Sequence, residues 1–289
     1  MPFLRAVRTL IDRYPKLSMS YRYLRDSWQL YNEPVETPHG FKLIGNKAMQ
    51  SGQFEIEETK LVKKLLTKCD MFINVGANIG YYCCLALTYN KNIIAFEPIN
   101  TNLIYLLKNL KANHCQDNAE VYPLALSNKN GIIEIYGGGT MASLLPGWSH
   151  TPPQYVTLAP CSTFDTILQS RFLDKRLLIL VDVEGAEYYF LQGALSVINR
   201  DPKPIWMLEI NICEHFPDEV AVNPNLLSTF KLFLNNGYDA YTASSKPEPV
   251  NLSQIEEIVD SGVDTLKTHN FLFVENNLNI DFLRETQYG

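Results

Sequence analysis

Hydrophobic residues fall in two rhythms along this chain. Short apolar-biased runs predict strands at Met71–Val75, Ile93–Glu97, Glu120–Leu124, Leu177–Val183 and Ile205–Asn211, with a last one at NFLFVE from Asn270. Between them, apolar residues recur at helical spacing. Leu61, Val62, Leu65 and Leu66 mark a helix in the segment from Phe54, with acids early and lysines late, as the helix dipole favours. A second helix is expected from about Gly80 to Thr88, and a third from Asn100 to Asn113 through Leu103, Leu106, Leu107 and Leu110. Thr163–Leu173, Ala186–Asn199 and Leu226–Asn236 complete the set, the last closing at Gly237. Strand–helix alternation of this kind predicts a parallel sheet with crossover helices. The alternation breaks once. GIIEIYGGG from Gly131 reads as an antiparallel arm, and the stretch to Pro160 is rich in Ser, Thr and Pro. That stretch is either a substrate-facing insertion or a passive surface loop. Residues 1–50 read as an N-terminal extension and 51–289 as the main domain.

Composition narrows the function class. The chain has 289 residues, 46% hydrophobic and 19% charged, enough for one large domain with a small addition. A net charge of −6 disfavours a protein that coats nucleic acid or anionic lipid. The first 25 residues are the basic exception, with Arg5, Arg8, Arg13, Lys16, Arg22 and Arg25 against Asp12. They read as a solvated helix or as a segment that rests on a membrane surface or a partner. Neither a signal peptide nor a membrane-spanning run is legible, so the expectation is a cytoplasmic, soluble protein without an integral membrane segment. Cysteines 69, 83, 84, 115, 161 and 213 show no CxxC pair and no zinc spacing, and read as reduced and mostly buried.

The most specific local signal is the run DMFINVGANIGYYCCLAL from Asp70. A strand leads into a turn bearing Gly76, Asn78 and Gly80, then a helix, then a second strand ending in Glu97 roughly 20 residues after the first glycine. This layout holds an adenosine-containing cofactor: the turn lets the backbone approach the ligand, and the acid accepts hydrogen bonds from ribose hydroxyls. The dinucleotide fingerprint fails at Asn78 and Tyr81, where it requires glycine. A cofactor with no phosphates to seat fits better, and S-adenosylmethionine is the candidate. A nucleotide-binding oxidoreductase is the disfavoured rival.

Three acids fall at predicted strand ends, Glu97, Asp182 and Glu209, the edge where open α/β sheets bind ligands. Glu97 is the candidate ribose clamp. Asp182 is a candidate base, a residue that positions a substrate hydroxyl, or a ligand with Glu209 for a divalent cation. Glu187 reads as a helix cap as readily as a functional acid. Among the histidines, His215 and His269 lie where they can reach that edge, and no two have metal spacing. Tyr81, Tyr82, Tyr136, Trp148 and Tyr155 form either a sugar-stacking surface or ordinary core and surface aromatics.

Taken together, FINVGANIGYY from Phe72, AFEP from Ala95, LALSNKNG from Leu124, STFDTI from Ser162, LVDVEGAEYYFLQGA from Leu180, LEIN from Leu208 and HNFLFV from His269 resemble the FkbM family of S-adenosylmethionine-dependent methyltransferases. The resemblance implies a class I methyltransferase fold, Rossmann-like, with a seven-stranded, mostly parallel α/β sheet whose last strand is antiparallel. It implies O-methylation of a sugar, glycan or natural product, a small-molecule or glycan acceptor and not nucleic acid. Gly76, Asn78 and Gly80 would line the methionine part of S-adenosyl-L-methionine, with Asn74 and Tyr81 beside them. Glu97 would hold the ribose, and Asp182 would face methyl transfer, with Glu209 and His215 as further catalytic candidates. One departure stands out: family members usually carry Asp where this chain has Asn74. A non-catalytic, cofactor-binding scaffold is the alternative this departure raises.

Overall fold

The computed structural model describes residues 33–114, 116–152 and 154–284. The basic N-terminal stretch and Cys115 lie outside the described residues. A small hairpin comes first, β1 (Val35–Glu36) with β2 (Lys42–Leu43). The main body then runs β3 (Met71–Val75), β4 (Asn92–Phe96) and β5 (Ala119–Tyr122). A side sheet follows from β6 (Ala125–Leu126), β7 (Gly131–Tyr136) and β8 (Val156–Ser162). β9 (Leu177–Val181), β10 (Ile205–Glu209), β11 (Tyr238–Thr242), β12 (Pro249–Val250) and β13 (Asn270–Glu275) return to the main sheet. The longer helices are α1 (Ile56–Leu66), α2 (Tyr81–Thr88), α3 (Asn100–Ala112), α4 (Glu187–Gln192), α5 (Leu226–Leu234) and α6 (Leu252–Ser261).

The main sheet is ordered β12-β11-β13-β10-β9-β3-β4-β5. β5, β4, β3, β9 and β10 run parallel. β13 lies antiparallel between β10 and β11. This is the class I methyltransferase sheet, with β12 as an eighth, two-residue edge strand. Every residue of β3 and β9 is buried, because helices cover both faces of a parallel sheet. Successive side chains alternate between two cores. Phe72 packs with Leu61, Leu65 and Leu85 on one side, while Met71, Ile73 and Val75 pack with Phe164, Phe190 and Trp206 on the other. Asn74 is the polar interruption in β3, pointing to the α2 side, where its Oδ1 accepts from the Cys83 thiol at 3.6 Å.

Chain direction away from β3 splits at this point: β4 lies to one side and β9 to the other. Such a switch point leaves a crevice at the carboxyl ends of β3, β4 and β9. Residues 35–50 dock beside it. Phe41, Leu43 and Met49 join the α2-side core, and the Asn109 side chain of α3 both accepts from Ile44 N at 2.7 Å and donates to Ile44 O at 3.1 Å.

Four local expectations give way. The helix expected over Thr163–Leu173 forms only at Phe164–Leu168, capped by Thr163 and ended by Gln169 at φ 45°. The helix expected over Ala186–Asn199 is split at Gly193, where a Cβ would meet Ser127 O at 2.1 Å. The second piece, Leu195–Ile198, starts instead on the Asp165 carboxylate, which accepts from Ser196 N and Val197 N. The Ser/Thr/Pro-rich stretch contains strand β8, which zips along β7 from Gly131 to Tyr136. Between Gly237 and Asn270, where no element was expected, β11, β12 and α6 form. α6 opens on a capping box of Asn251 and Gln254. Among the described residues no helix is long and apolar enough to cross a membrane.

Candidate functional site

The crevice holds two adjoining cavities, the first of about 590 Å³ on the Glu97 side and the second of about 550 Å³ on the Asn74 side. Gly76, Asn78 and Asp182 line both, so these residues form the seam. Gly76 ends β3 at φ +80°, and a Cβ there would lie 1.8 Å from Asp182 O. Only glycine lets β3 and β9 close to this distance, and the closure is fastened by Asp182 N donating to Val75 O at 3.0 Å. Gly80 is likewise in the left-handed region, with Leu106 of α3 packed where a Cβ would stand.

The first cavity carries the Glu97 side. Glu97 is 3% exposed and follows β4. Its Oε2 accepts from Asn78 N at 2.7 Å and its Oε1 from Ile99 N at 2.8 Å, with the Asn102 amide at 3.4 Å. Burial nevertheless outweighs these donors and lifts its pKa to about 7. A carboxylate has about four lone-pair positions, so Oε2 keeps room for one more donor. Asn78, at φ 50°, has an Oδ1 that is buried without a partner among the described residues. Apolar Phe96, Ile99, Leu124 and Leu126 complete the wall. A flat heterocycle with ribose hydroxyls fits this wall and these open acceptors.

The second cavity lies on the Asn74 side and is lined by Glu55, Asp182 and Glu209 with Met49, Phe54, Tyr82 and Met207. Glu55 is a residue that the sequence patterns missed. It precedes α1 in left-handed conformation at φ 40° and makes no capping bond; its Oε2 accepts from Tyr82 OH at 2.6 Å. Burial raises its pKa to about 7, reinforced by Glu209 and Glu58 and opposed by the Tyr82 hydrogen bond. Asp182 is held well above the usual carboxylate range by burial first, then by Glu209, Glu184 and Glu55. Glu209 is raised by burial and lowered by His269, Asn211 and His215. Among the described residues no Lys or Arg pairs with Glu55, Asp182 or Glu209. Half-buried carboxyls such as Asp182 and Glu209, without a cationic partner among the described residues, are costly; a ligand carrying ammonium and sulfonium charge relieves them. The two cavities together therefore fit S-adenosylmethionine.

The turn after β9 is braced from the side sheet. Trp148 is fully buried; its Nε1 donates to Glu184 Oε2 at 2.8 Å and its ring fills the space where a Gly185 Cβ would project. Ser143 Oγ donates to Glu184 O. Glu184 is raised to about 7 by burial, which outweighs the Trp148 bond. Glu187 is 2% exposed and its Oε1 accepts from Gly185 N at 2.9 Å, so it caps this turn; burial lifts it to about 8.

Other candidates lie apart. His215 stacks near Trp148 and pairs its Nδ1 with Ser149 Oγ at 2.8 Å; it lines neither cavity. The proposed aromatic platform does not form. Trp148 is 0% exposed, and Tyr81, at 3%, packs edge-on against Phe41, Phe54 and Tyr82 with its rim on the second cavity. Among the described residues no disulfide forms: Cys69, Cys83, Cys84 and Cys161 are buried and Cys213 is half-buried. Among the described residues no three His, Cys, Asp or Glu side chains converge as a metal centre, so Asp182 and Glu209 have no third ligand.

No curated protein matches the chain. Among solved structures it is similar to the FkbM methyltransferase of Methylobacillus flagellatus KT, with 19% identity over 48% of this chain and a TM-score of 0.36. The match spans only 32% of that protein. It is also similar to a SAM-dependent O-methyltransferase of Thermotoga maritima, with 10% identity over 86% of this chain and 78% of the other, and a TM-score of 0.38. The methyltransferase FkbM domain matches residues 74–267, most of the chain from β3 to the approach of β13. With that span matched and its strand-end turn in place, the chain belongs to the FkbM family and is an S-adenosylmethionine-dependent methyltransferase.

Proposed function

We propose that this methyltransferase acts on a hydroxyl oxygen of a small acceptor, a sugar, a glycan or a natural product, with Asp182 as the base. The observation that carries this reading is the position of Asp182. Its side chain accepts no hydrogen bond among the described residues, and it lies on the seam shared by the two cavities. The cofactor supplies an electrophilic methyl group. The protein's part is to align the acceptor and exclude water, as displacement at carbon requires.

An alcohol is a weak nucleophile, and a base with a raised pKa is well matched to taking its proton. Burial and four neighbouring acids put Asp182 in that position. Glu97, with its open acceptor capacity, takes the ribose hydroxyls, while Asn78 offers its unpartnered Oδ1. Asn74 brings no charge, but Glu55 and Glu209 line the same cavity and supply the negative charge that an ammonium group needs. The acidic lining and the net charge of −6 favour a neutral or cationic acceptor over a nucleic acid.

Asp182→Asn tests the assignment. Labelled methyl transfer to acceptor is expected to fall by about 10²–10⁴-fold, the range for loss of a general base, while S-adenosylhomocysteine affinity stays within a few-fold by calorimetry. Unchanged turnover removes Asp182 from the mechanism. A methyl group found by NMR on nitrogen or carbon of the product refutes the hydroxyl reading.

A further inference from the structure

The charged lining of the Asn74-side cavity is one-sided. Glu55, Asp182 and Glu209 line it, and among the described residues no Lys, Arg or His does. The methionine end of S-adenosylmethionine brings a carboxylate as well as an ammonium group. The acids suit only the ammonium, so the carboxylate needs a hydrogen bond from an uncharged donor.

One such donor is buried against this space. Asn74 lines the cavity and is 2% exposed. Its Oδ1 accepts from the Cys83 thiol at 3.6 Å. Burial holds Cys83 in the protonated form, well above its ordinary range, so Sγ has a proton to give. With the oxygen turned to α2, the amide nitrogen is the polar end left for the cavity. Its two N–H donors have no acceptor among the described residues. A buried donor without an acceptor is costly, and a ligand oxygen removes that cost. Other side-chain donors on this wall are engaged. Tyr82 OH donates to Glu55, Tyr81 OH lies 3.4 Å from Thr59 Oγ1, and Asn270 Nδ2 donates to Glu58 at 3.4 Å. α2 favours an anion at the same place. It starts at Tyr81 with no side-chain cap, and Ile79, Tyr81 and Tyr82 line the cavity, so its N-terminal N–H groups open on this space.

We infer that Asn74 binds the carboxylate of the cofactor's methionine end through Nδ2. An acid at this position would take the ammonium group and repel the carboxylate. Asn74 reverses that polarity, and the ammonium is left to the acids that line the same cavity. Apolar Met49, Phe54 and Met207 keep water from the pair and strengthen its charge-assisted bond. The inference rests on S-adenosylmethionine as the cofactor and does not depend on the hydroxyl reading above.

The test is calorimetry on the full chain with two probes, S-adenosylhomocysteine and its decarboxylated analogue, which keeps the adenosine, the sulfur and the amine. The native chain is expected to bind S-adenosylhomocysteine about tenfold tighter or more, as a hydrogen bond to a charged group implies. This preference is read without any variant. Asn74→Leu is close in size and has no donor. It is expected to lower S-adenosylhomocysteine affinity about tenfold and to leave that of the analogue within about threefold, which also shows that the variant is folded. Both probes carry the amine, so a residue that served the ammonium would weaken both alike. Equal binding of the two probes by the native chain overturns the inference. So does a preference that survives Asn74→Leu, or an equal loss for both probes in a variant that keeps its cooperative unfolding transition. Failure of S-adenosylhomocysteine to bind the native chain overturns it together with the cofactor reading. No acceptor enters these measurements, so the hydroxyl reading stands or falls on the methylated product alone.

Discussion

The acid cluster reverses the usual dependence of stability on pH. Glu55, Glu97 and Glu184 are each lifted from an ordinary 4.5 to about 7, and Glu187 to about 8. In the unfolded chain these groups lose their protons near their ordinary value, so between about pH 5 and pH 8 the folded state binds more protons than the unfolded one. Stability therefore falls as pH rises through this window. The contribution is fully present below the unfolded pKa and is lost once the folded pKa is passed. A buried carboxyl such as Glu97, moved from 4.5 to about 7, is worth roughly 3 kcal/mol between the two limits, and the exposed Glu55 is worth much less because solvent screens it. The groups share one crevice and interact, so the total is less than a sum of independent shifts; a loss of at least about 3 kcal/mol from pH 5 to pH 8 is the expectation. The acids whose pKa is lowered, Glu57 by Lys60 and Glu120 by Arg171, act in the opposite sense, but they lie at the surface, where such pairs contribute little. Urea denaturation across this range measures the slope directly. Saturating S-adenosylmethionine should flatten it, because a cation between the carboxyls restores their ionisation. Stability that rises from pH 5 to pH 7 without cofactor would refute the reasoning.

Gly76→Ala adds a left-handed strain and a Cβ 1.8 Å from Asp182 O, so it is expected to destabilise by about 2–5 kcal/mol and to cost most of the cofactor affinity. Gly139→Ala, at φ +67° with open space around it, should cost about 1 kcal/mol; similar effects at both positions would sink the close-approach argument. Trp148→Phe keeps the ring against Gly185 but removes the Nε1 donor to Glu184. A loss of about 1–3 kcal/mol is expected, larger at pH 8 than at pH 5 because the bond favours the ionised acid; denaturation at the two pH values decides.

Legibility in the sequence followed how local each cause was. The strand–turn–helix from Met71 to Thr88 was readable because its apolar run and glycines are adjacent in the chain. Glu97 and Asp182 were readable because each ends a strand. Glu55 was not. Its neighbours Glu57 and Glu58 read as acids complementing a helix dipole, and only the packing of α1 against α2 brings Glu55 to Tyr82 and the cavity. Trp148 is ambiguous in the sequence: in a Ser/Pro-rich stretch it fits a sugar-stacking surface as readily as an ordinary core aromatic, and only the side sheet, which folds it under the β9 turn, makes it a core residue. Pro160 hid β8, since proline usually argues against a strand inside a sheet; β6 reaches only Cys161 and Ser162, so on that flank no ladder extends to Pro160. The capping box at Asn251 and Gln254 was a local signal for α6 that the hydrophobic pattern alone did not raise.

The uncharged Asn74 gains its meaning from what surrounds it. Asn74 is 2% exposed and its Oδ1 accepts from the Cys83 thiol at 3.6 Å, so a charge at that position would stand in a strand whose every residue is buried. In this chain negative charge is instead presented from the outer walls of the cavity, by Glu55 ahead of α1, Asp182 after β9 and Glu209 at the end of β10. All three are raised above the usual carboxylate range, by burial first and then by the acids around them. Negative charge reaches the Asn74-side cavity from three separate elements rather than from the end of β3, so removal of one acid leaves two others lining the same space.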